Sequence, residues 1–271
     1  MNENWSYLLE PFLTPALPFS RVDIARGVTI PNCISEALAE EIGTHIGDGH
    51  LKFVKPSRGG TEYRWIYSGH LTEDREYLLS HVASLVKKLY NIRGSIYERS
   101  AKTELSLMYG SKAVFYFKSR VLGIPIGPKH SIRVPPVVFQ SEDSGIFAAC
   151  LRGLFDTDGS LAFQKNWREE YADPIINLGT VSPLLADDVG VLLGLLHFQF
   201  RQNTYRSKDP NKRPLHHIWL DGPKRLEEWI AKVGFANVSK FSKYLVWKAY
   251  GYCPPRTTHL ERLRMINEKC K

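Results

Sequence analysis

Two Asp-Gly pairs are the residues of this sequence with the clearest potential for chemistry. Asp48-Gly49 and Asp158-Gly159 lie 110 positions apart, and each pair follows apolar residues at helical spacing. A single Asp-Gly pair usually marks a turn. Recurrence of the pair in the same context indicates instead that the chain carries two copies of one carboxylate-bearing unit.

Two further landmarks repeat at nearly the same spacing. Ser68 is followed after 112 positions by Thr180, each of them before a helix-like run, and Lys129 is followed after 111 positions by Lys240. Because these spacings agree closely with the separation of the Asp-Gly pairs, they indicate an internal duplication. The sequence therefore predicts two homologous halves.

Hydrophobic periodicity predicts the same order of elements in both halves, namely helix, hairpin, helix, hairpin, helix. Leu38, Ile42 and Ile46, for example, recur at the spacing of one helix face. In the first half the predicted elements are helix 35–47, strands 49–55 and 63–67, helix 74–90, strands 93–100 and 103–108, and helix 111–122. In the second half they are helix 146–157, strands 160–164 and 171–178, helix 183–197, strands 198–206 and 216–220, and helix 223–233.

The repeat divides the chain into four parts. Residues 1–30 precede it and are predicted to be an N-terminal extension, residues 31–122 form the first half, and residues 143–271 form the second half with a C-terminal helical tail. Residues 123–142 include four prolines, which exclude a continuous helix and are typical of a linker.

Small residues line one side of each helix that precedes an Asp-Gly pair. Gly43 and Gly47 are four positions apart in the first helix, and Ala149, Gly153 and Thr157 have the same spacing in the second. Such ridges let two helices pack closely, so we expect the two helices to form the interface between the halves. Their C-terminal ends would then bring two carboxylates together beside helix carbonyl groups, an unfavourable arrangement that a bound cation would stabilise. Ligands that are all oxygen favour Mg2+ over zinc.

The two helix ends resemble the LAGLIDADG motifs of single-chain LAGLIDADG homing endonucleases. The second copy is Leu151-Arg152-Gly153-Leu154-Phe155-Asp156-Thr157-Asp158-Gly159, which matches the motif at its leucines, glycines and aspartates. The first copy is Ile42-Gly43-Thr44-His45-Ile46-Gly47-Asp48-Gly49, which keeps the final Asp-Gly but departs at Glu41, Thr44, His45 and Ile46. The resemblance extends over about residues 30–250.

This resemblance implies an α+β fold of two pseudo-symmetric αββαββα halves, each with a saddle-shaped antiparallel sheet that lies on the major groove of DNA. It also implies hydrolysis of both DNA strands at a long, asymmetric target, dependent on Mg2+, for which Mn2+ would substitute. The chain would accordingly be an endodeoxyribonuclease, intron-encoded and monomeric because both motifs lie in one chain.

The resemblance also assigns roles to individual residues. Asp48 and Asp158 correspond to the metal-binding carboxylates, and Gly47 and Thr157 would join them in the metal site. Lys129 corresponds to the basic residue near the scissile phosphate in the first half. Its counterpart in the second half is Lys240, although Lys243 lies close by. These four charged positions are the predicted catalytic residues: Asp48, Asp158, Lys129 and Lys240.

Basic and aromatic residues alternate in the predicted strands, which is the pattern of a nucleic-acid-binding sheet. A net charge of +8 and a pI near 9.2 fit a polyanionic partner, and side chains on a curved ribbon can contact base edges in the major groove of double-stranded DNA. The predicted DNA-binding residues are Lys52, Lys55, Arg58, Arg64, His70, Arg93, Tyr97, Arg99, Lys165, Trp167, Arg168, Arg201, Asn203, Tyr205, Arg206 and Lys208. Trp65, Trp219, Trp229 and Trp247 are predicted to lie in the core.

Two other functions use the same fold, namely an RNA maturase that binds intron RNA and a non-catalytic DNA-binding regulator. The two aspartates favour cleavage, because a protein that only binds has no need of paired carboxylates at helix ends. An intein is disfavoured, since the termini carry no splicing residues. Few cysteines without close spacing, an N-terminus without a signal peptide and no long apolar run predict an intracellular protein, in a prokaryotic cytoplasm or an organelle, with no membrane partner.

Overall fold

The computed structural model describes residues 17–55, 60–168 and 170–269, which form two halves with one four-stranded antiparallel sheet each. The strands are β1 Gly49–Val54, β2 Glu62–His70, β3 Ser95–Arg99, β4 Glu104–Gly110, β5 Gly159–Lys165, β6 Tyr171–Thr180, β7 Arg201–Tyr205 and β8 Leu215–Asp221. Their order is β1-β2-β4-β3 in the first sheet and β5-β6-β8-β7 in the second. The two halves therefore share one topology.

Helices cover one side of each sheet and fill the space between the halves. They are α1 Arg21–Ala25, α2 Glu36–Asp48, α3 Ala83–Tyr90, α4 Lys112–Tyr116, α5 Pro136–Gln140, α6 Ser144–Thr157, α7 Pro183–Leu195, α8 Pro223–Lys232, α9 Val238–Tyr250 and α10 His259–Lys269. A π-helical segment precedes α3 at Tyr77–Val82, another follows α4 at Phe117–Val121, and Ser100–Lys102 form a 3-10 turn. No helix in these described ranges is long and apolar enough to cross a bilayer.

Side-chain caps begin the helices that matter for the site. The Ser35 hydroxyl accepts the Leu38 N–H at the start of α2, and the Asp143 carboxylate accepts the Gly145 N–H at 2.7 Å at the start of α6. Ser182 caps α7 in the same way. Each cap satisfies an N–H that has no partner within its own helix.

The two central helices, α2 and α6, are in direct backbone contact. A Cβ atom built on Gly43 would overlap the Cys150 carbonyl oxygen, and one built on Gly153 would overlap the Glu40 carbonyl oxygen. Glycine is therefore needed at both positions. The expected ridge of α6 makes this contact through Gly153, against Glu40 and Thr44, and through Thr157, against Gly47. Only its first position differs, because Cys150 rather than Ala149 lies nearest Gly43.

Alternation along the strands gives each sheet a buried face and an open face, the latter turned away from the covering helices. Trp65 and Tyr67 of β2 are fully buried, as are Leu161 of β5 and Ile218 of β8. Within each strand, the residues that alternate with these buried ones therefore point to the other side of the sheet. By strand register, the open face of the first sheet holds residues His50, Lys52, Arg64, Ile66, Ser68, His70, Ser95, Tyr97, Arg99, Glu104, Ser106 and Met108.

The chain outside the repeat packs on the first half and between the halves. Asp23 of α1 is almost completely buried and accepts the Ala113 N–H, so the described part of the N-terminal extension is docked on α4. In the segment after α4, Ile126 forms a parallel bridge with Leu51, and the Gly127 N–H donates to the Leu51 carbonyl at 3.1 Å. The linker thus extends the edge of the first sheet.

The predicted order of helices and strands is confirmed in both halves, with differences at some boundaries. The strand expected at 198–206 is only Arg201–Tyr205. Phe198 is buried, and the centre of its ring is 5.8 Å from that of Trp229. This residue therefore packs in the core, and strand pairing begins only at Arg201. The expectation that Trp219 lies in the core is wrong. Trp219 lies between the buried Ile218 and Leu220 of β8 and pairs with Arg201 and Asn177. Its half-buried ring is therefore on the open face of the sheet.

Candidate active site

The candidate active site lies where α2 and α6 end against each other. Asp48 is the last residue of α2, and Asp158 caps the C-terminus of α6. A Cβ atom on Gly47 would overlap the Thr157 side chain and would lie 3.2 Å from the Asp158 nitrogen. The close packing therefore brings the two helix ends into contact, and each end carries one aspartate.

Burial disfavours the charged form of both aspartates. Burial, together with the charges of Asp158 and Asp74, raises the pKa of Asp48 from 3.8 to about 7, against the attraction of the nearby lysines. Burial also raises the pKa of Asp158, while Lys129 and Lys240 act to lower it. Within the ranges that the structure describes, neither carboxylate has a hydrogen-bond or ion-pair partner. The site therefore holds acidic oxygens whose ionised form a cation would stabilise.

One lysine binds each helix end. The Lys129 ammonium donates to the Ile46 carbonyl at 2.7 Å and to the Gly47 carbonyl. A cation at the C-terminus of a helix is favoured because the last carbonyl groups there have no partner within the helix. Burial nevertheless lowers the pKa of Lys129, an effect that the charges of Asp158 and Asp48 oppose.

Lys240 is bound in the equivalent way at the end of α6. Its ammonium donates to the carbonyls of Phe155 at 2.6 Å, Thr157 at 3.0 Å and Gly159 at 2.6 Å. Lys243 instead donates to the Leu161 carbonyl of β5 at 3.1 Å. Of the two candidate lysines in this segment, Lys240 is thus the one at the helix end, as Lys129 is in the first half.

The oxygens at this position suit a hard divalent cation. Two carboxylates and the adjacent backbone carbonyls of Gly47 and Thr157 offer only oxygen, the ligand type of Mg2+ and Mn2+. Among the residues described, no cluster of three or more His, Cys, Asp or Glu side chains forms an alternative site. Both carbonyls already accept a lysine hydrogen bond, so a cation must use their second lone pair or displace the ammonium group.

The first sheet places most of its predicted DNA-binding residues on the open face. Lys52 pairs with Arg64 across β1 and β2, and His70 lies in one row with Glu104 and Arg99. The Arg99 guanidinium is 3.7 Å from the Glu104 carboxylate. Tyr97 is also exposed on the open face, whereas Lys55 follows β1 and Arg93 precedes β3. Arg58 lies outside the described residues.

In the second sheet the open face carries Arg201, Asn203 and Tyr205 of β7, all exposed. Arg201 lies 3.5 Å from Asp221 of β8. The remaining predicted residues occupy the turns and strand ends. Lys165 ends β5, Trp167 is 84% exposed with the Arg168 guanidinium 4.5 Å from its ring centre, and Arg206 and Lys208 are exposed between β7 and β8.

A buried polar cluster under the first sheet escaped sequence analysis. Glu41 and Lys118 are both fully buried and form an ion pair, and Glu41 also accepts the hydroxyl groups of Tyr67 and Tyr90. His45, at 3.3 Å from the Tyr67 hydroxyl, adjoins the cluster, and burial holds its pKa well below 6.5. The first copy of the motif departs from the second at Glu41 and His45, and this departure was the available signal.

Asp156 is a second group whose setting the sequence did not reveal. It is 1% exposed, and burial raises its pKa to about 7. One carboxylate oxygen accepts the Ala236 N–H at 2.8 Å, and the other has no partner among the described atoms. Asn237, the N-cap of α9, donates to the Asp156 carbonyl at 3.1 Å. Asp156 therefore fixes the start of the helix that carries Lys240.

Comparison with known proteins identifies the second half directly. Residues 146–234 match the model of the LAGLIDADG-like domain family. The chain is 28% identical over 216 residues to the replication factor C small subunit of Methanocaldococcus jannaschii, with 78% of this chain and 10% of that protein covered. It is 27% identical over 229 residues to a DNA polymerase of Thermococcus hydrothermalis, with 81% and 12% covered. The chain thus spans only about a tenth of these curated relatives.

Solved structures extend the similarity to both halves. A variant of the homing endonuclease I-DmoI superposes with a TM-score of 0.50 at 16% identity, over 73% of this chain and 95% of that one. The homing endonuclease I-LtrWI, bound to its target DNA, gives a TM-score of 0.49 at 11% identity over 86% and 96%. Residues 146–234 therefore belong to the LAGLIDADG-like domain family, and the chain as a whole has the fold of the LAGLIDADG homing endonucleases.

Proposed function

We propose that this protein is a site-specific endonuclease that hydrolyses both strands of double-stranded DNA with Mg2+, or with Mn2+ in its place. One observation carries the proposal: Asp48 and Asp158 end two helices in direct contact, and Lys129 and Lys240 bind those same ends. Each aspartate is followed at once by the first strand of a sheet with a basic open face. The acidic centre thus adjoins two surfaces suited to DNA.

Phosphodiester hydrolysis requires a positioned water, a means to lower its pKa, and stabilisation of the charge that develops on the phosphate. A divalent cation held by Asp48, Asp158 and the carbonyls of Gly47 and Thr157 would supply the Lewis acidity. Cation binding at Asp48 would compete with proton binding, because a carboxylate ligand is ionised and the pKa of Asp48 is raised to about 7.

The lysines complete the chemistry. An ammonium group near the scissile phosphate stabilises negative charge that is greater in the transition state than in the ground state. Lys129 and Lys240 are both half-buried beside the aspartates and have their hydrogen bonds directed to the two helix ends. One aspartate and one lysine from each half provide two equivalent sets of groups, as cleavage of two antiparallel strands requires.

DNA recognition is assigned to the open faces. Lys52, Arg64 and Arg99 lie on the open face of the first sheet, and Arg201 and Asn203 lie on the open face of the second. Arg to guanine and Asn to adenine contacts are the usual means of reading bases in the major groove. Because the two faces carry different residues, the proposed target is asymmetric, and because both sets of catalytic groups lie in one chain, the proposed active form is a monomer.

The comparisons support this proposal at the level of fold. Structures of I-DmoI include a complex with DNA and manganese, and that of I-LtrWI contains target DNA. At 16% identity or less these structures speak to architecture, so the assignment of activity to this chain rests on its own aspartates and lysines.

The decisive experiment is selection of cleaved sites from a randomised duplex library with Mg2+, followed by kinetics on the selected site. Asp48→Asn and Asp158→Asn should each abolish double-strand cleavage and leave Ca2+-supported DNA binding largely intact, because most affinity comes from phosphate contacts elsewhere. Asp187→Asn, at an exposed position of α7, is the matched control and should cleave normally. Wild-type rates for either active-site variant would exclude this site as the catalytic centre.

A further inference from the structure

We propose that each of the two lysines is positioned by an acidic residue of the opposite half, Lys129 by Asp188 and Lys240 by Glu73. This inference rests on the proposed function, and it makes Asp188 and Glu73 positioning residues for a reaction that they do not contact. The observation behind it is that both lysine-bearing segments are tied across the interface between the halves.

Lys129 lies on a short segment that is fixed at both ends. On one side the Gly127 N–H donates to Leu51 of the first sheet at 3.1 Å. On the other side the Val134 N–H donates to the Asp188 carboxylate of α7 at 2.9 Å, and Arg133 donates to the same carboxylate at 2.8 and 3.2 Å. One end of the segment is thus hydrogen-bonded to the first half and the other end to the second half.

Asp188 is well placed to hold this segment. It is 6% exposed, and its two oxygens accept one buried backbone N–H and two guanidinium N–H groups. The Ser182 hydroxyl, fully buried at the start of α7, donates to the Ile132 carbonyl at 2.6 Å. Because hydrogen bonds to a charged group are stronger than neutral ones, the second half sets the path of the chain at residues 132–134, shortly after Lys129.

The segment with Lys240 is held by the first half in the same manner. Glu73, between β2 and α3, accepts the Ser239 hydroxyl at 2.6 Å, the His259 N–H at 2.8 Å and the Arg262 guanidinium at 2.9 Å. Arg262 is 1% exposed and also donates to the Ser239 carbonyl at 3.2 Å. Glu73 therefore holds the residue immediately before Lys240 through two routes.

Asp74 adds a further contact of the same kind. Its carboxylate accepts the Asn237 amide N–H at 3.0 Å, and Asn237 is the fully buried N-cap of α9. The first turn of α9 is consequently bonded to the first half at two adjacent acidic residues. A lysine reaches its helix end only where both halves are docked, which links the geometry of one catalytic set to the position of the opposite half.

Strand-resolved cleavage kinetics test the proposal. Asp188→Asn should slow, by about 10- to 100-fold, the same strand that Lys129→Ala slows, and Glu73→Gln should slow the strand that Lys240→Ala slows. Binding affinity should stay within about twofold, because neither residue lies on the open faces. The matched controls are Asp187→Asn beside Asp188, and Glu227→Gln, whose bonds to Tyr244 and Lys248 hold α9 within the second half. Both controls should leave the strands cut equally.

Double variants separate positioning from general destabilisation. If Asp188 acts through Lys129, the pair Lys129→Ala with Asp188→Asn should be no slower than Lys129→Ala alone. Additive losses, equal slowing of both strands, or wild-type kinetics for Asp188→Asn and Glu73→Gln would each overturn the inference.

Hydrogen exchange of the metal-free protein tests the anchoring without reference to activity. Asp188→Asn should accelerate exchange at the Val134 amide, and Glu73→Gln should accelerate it at the His259 amide and the first turn of α9, with other regions unchanged. These local effects in a protein that cuts no DNA would uphold the anchoring and refute the proposed function. Uniform acceleration along the chain, or none, would refute the anchoring itself.

Discussion

Replacement of Asp48 by Asn is expected to stabilise the metal-free protein at pH 8. Burial and the charge of Asp158 raise the pKa of Asp48 from 3.8 to about 7, so the folded protein binds a proton there more tightly than the unfolded chain does. At pH 8 the carboxylate is ionised in both the folded and the unfolded state. Because the charge is less favourable in the folded state, its ionisation lowers the free energy of unfolding. An uncharged Asn side chain of similar size does not incur that cost.

The size of the effect follows from the same pKa values. Because the folded-state pKa is raised, the free energy of unfolding falls as pH increases from 3.8 to about 7 and is constant above it. At about 1.4 kcal/mol per pH unit the ceiling is about 4 kcal/mol. Solvent reaches the half-buried side chain, which reduces the expectation to about 2 kcal/mol, or about 4 to 8 °C in Tm for a chain of this size.

Thermal unfolding with EDTA and with Mg2+, at pH 5.5 and pH 8, measures this directly. Asp48→Asn should have the higher Tm at pH 8 in EDTA and a flatter dependence of Tm on pH than the wild type. Mg2+ should raise the Tm of the wild type at pH 8, because a ligand that binds only the folded state stabilises it, and should raise that of Asp48→Asn much less.

Asp156→Asn is the matched control, because burial also raises the pKa of Asp156 to about 7 but its carboxylate accepts the Ala236 N–H. It should flatten the pH dependence yet keep the wild-type response to Mg2+. The reasoning is refuted if Asp48→Asn and the wild type share one Tm at pH 8, or if Mg2+ raises both by the same amount.

Four other predictions follow from the structure. Lys129→Ala should slow cleavage by about 100-fold or more with a smaller loss of affinity, and nicked DNA should accumulate; equal losses in rate and binding would make it an ordinary phosphate contact. DNA affinity should fall steeply with salt, with a log-log slope of several units if about 6 to 10 phosphates are neutralised, and tighter binding of structured RNA at equal salt would favour a maturase instead. Gly153→Ala should destabilise the fold by about 1 to 3 kcal/mol in chemical denaturation, whereas Gly194→Ala, whose Cβ meets nothing within 4 Å, should be neutral or stabilising; equal effects would refute close helix packing. Lys118→Met should cost about 3 to 5 kcal/mol because it leaves the buried Glu41 carboxylate without its cationic partner; a stable single variant would count against the buried ion pair.

Much of the fold was predictable because it depends on local periodicity. The helical spacing of Leu38, Ile42 and Ile46 and the alternation in the strands identify the buried side of each element within a few residues. Recurrence of Asp48 at Asp158 predicted that two helix ends would carry the chemistry. Close contact of α2 with α6 was also predictable, because only small side chains at Gly43 and Gly153 permit it.

The details that complete the site depend on contacts between residues far apart in sequence. Whether Lys240 or Lys243 lies at the end of α6 is decided by how α9 docks, and that docking depends on Glu73 and Asp156, which no local pattern connects to α9. The pairing of Glu41 with Lys118 joins residues 77 positions apart. Local sequence determines which face of an element is apolar, since the backbone geometry has a fixed period. Only the tertiary structure decides which buried polar groups meet, because a buried charge is stable only beside the particular partners that the packing of distant elements supplies.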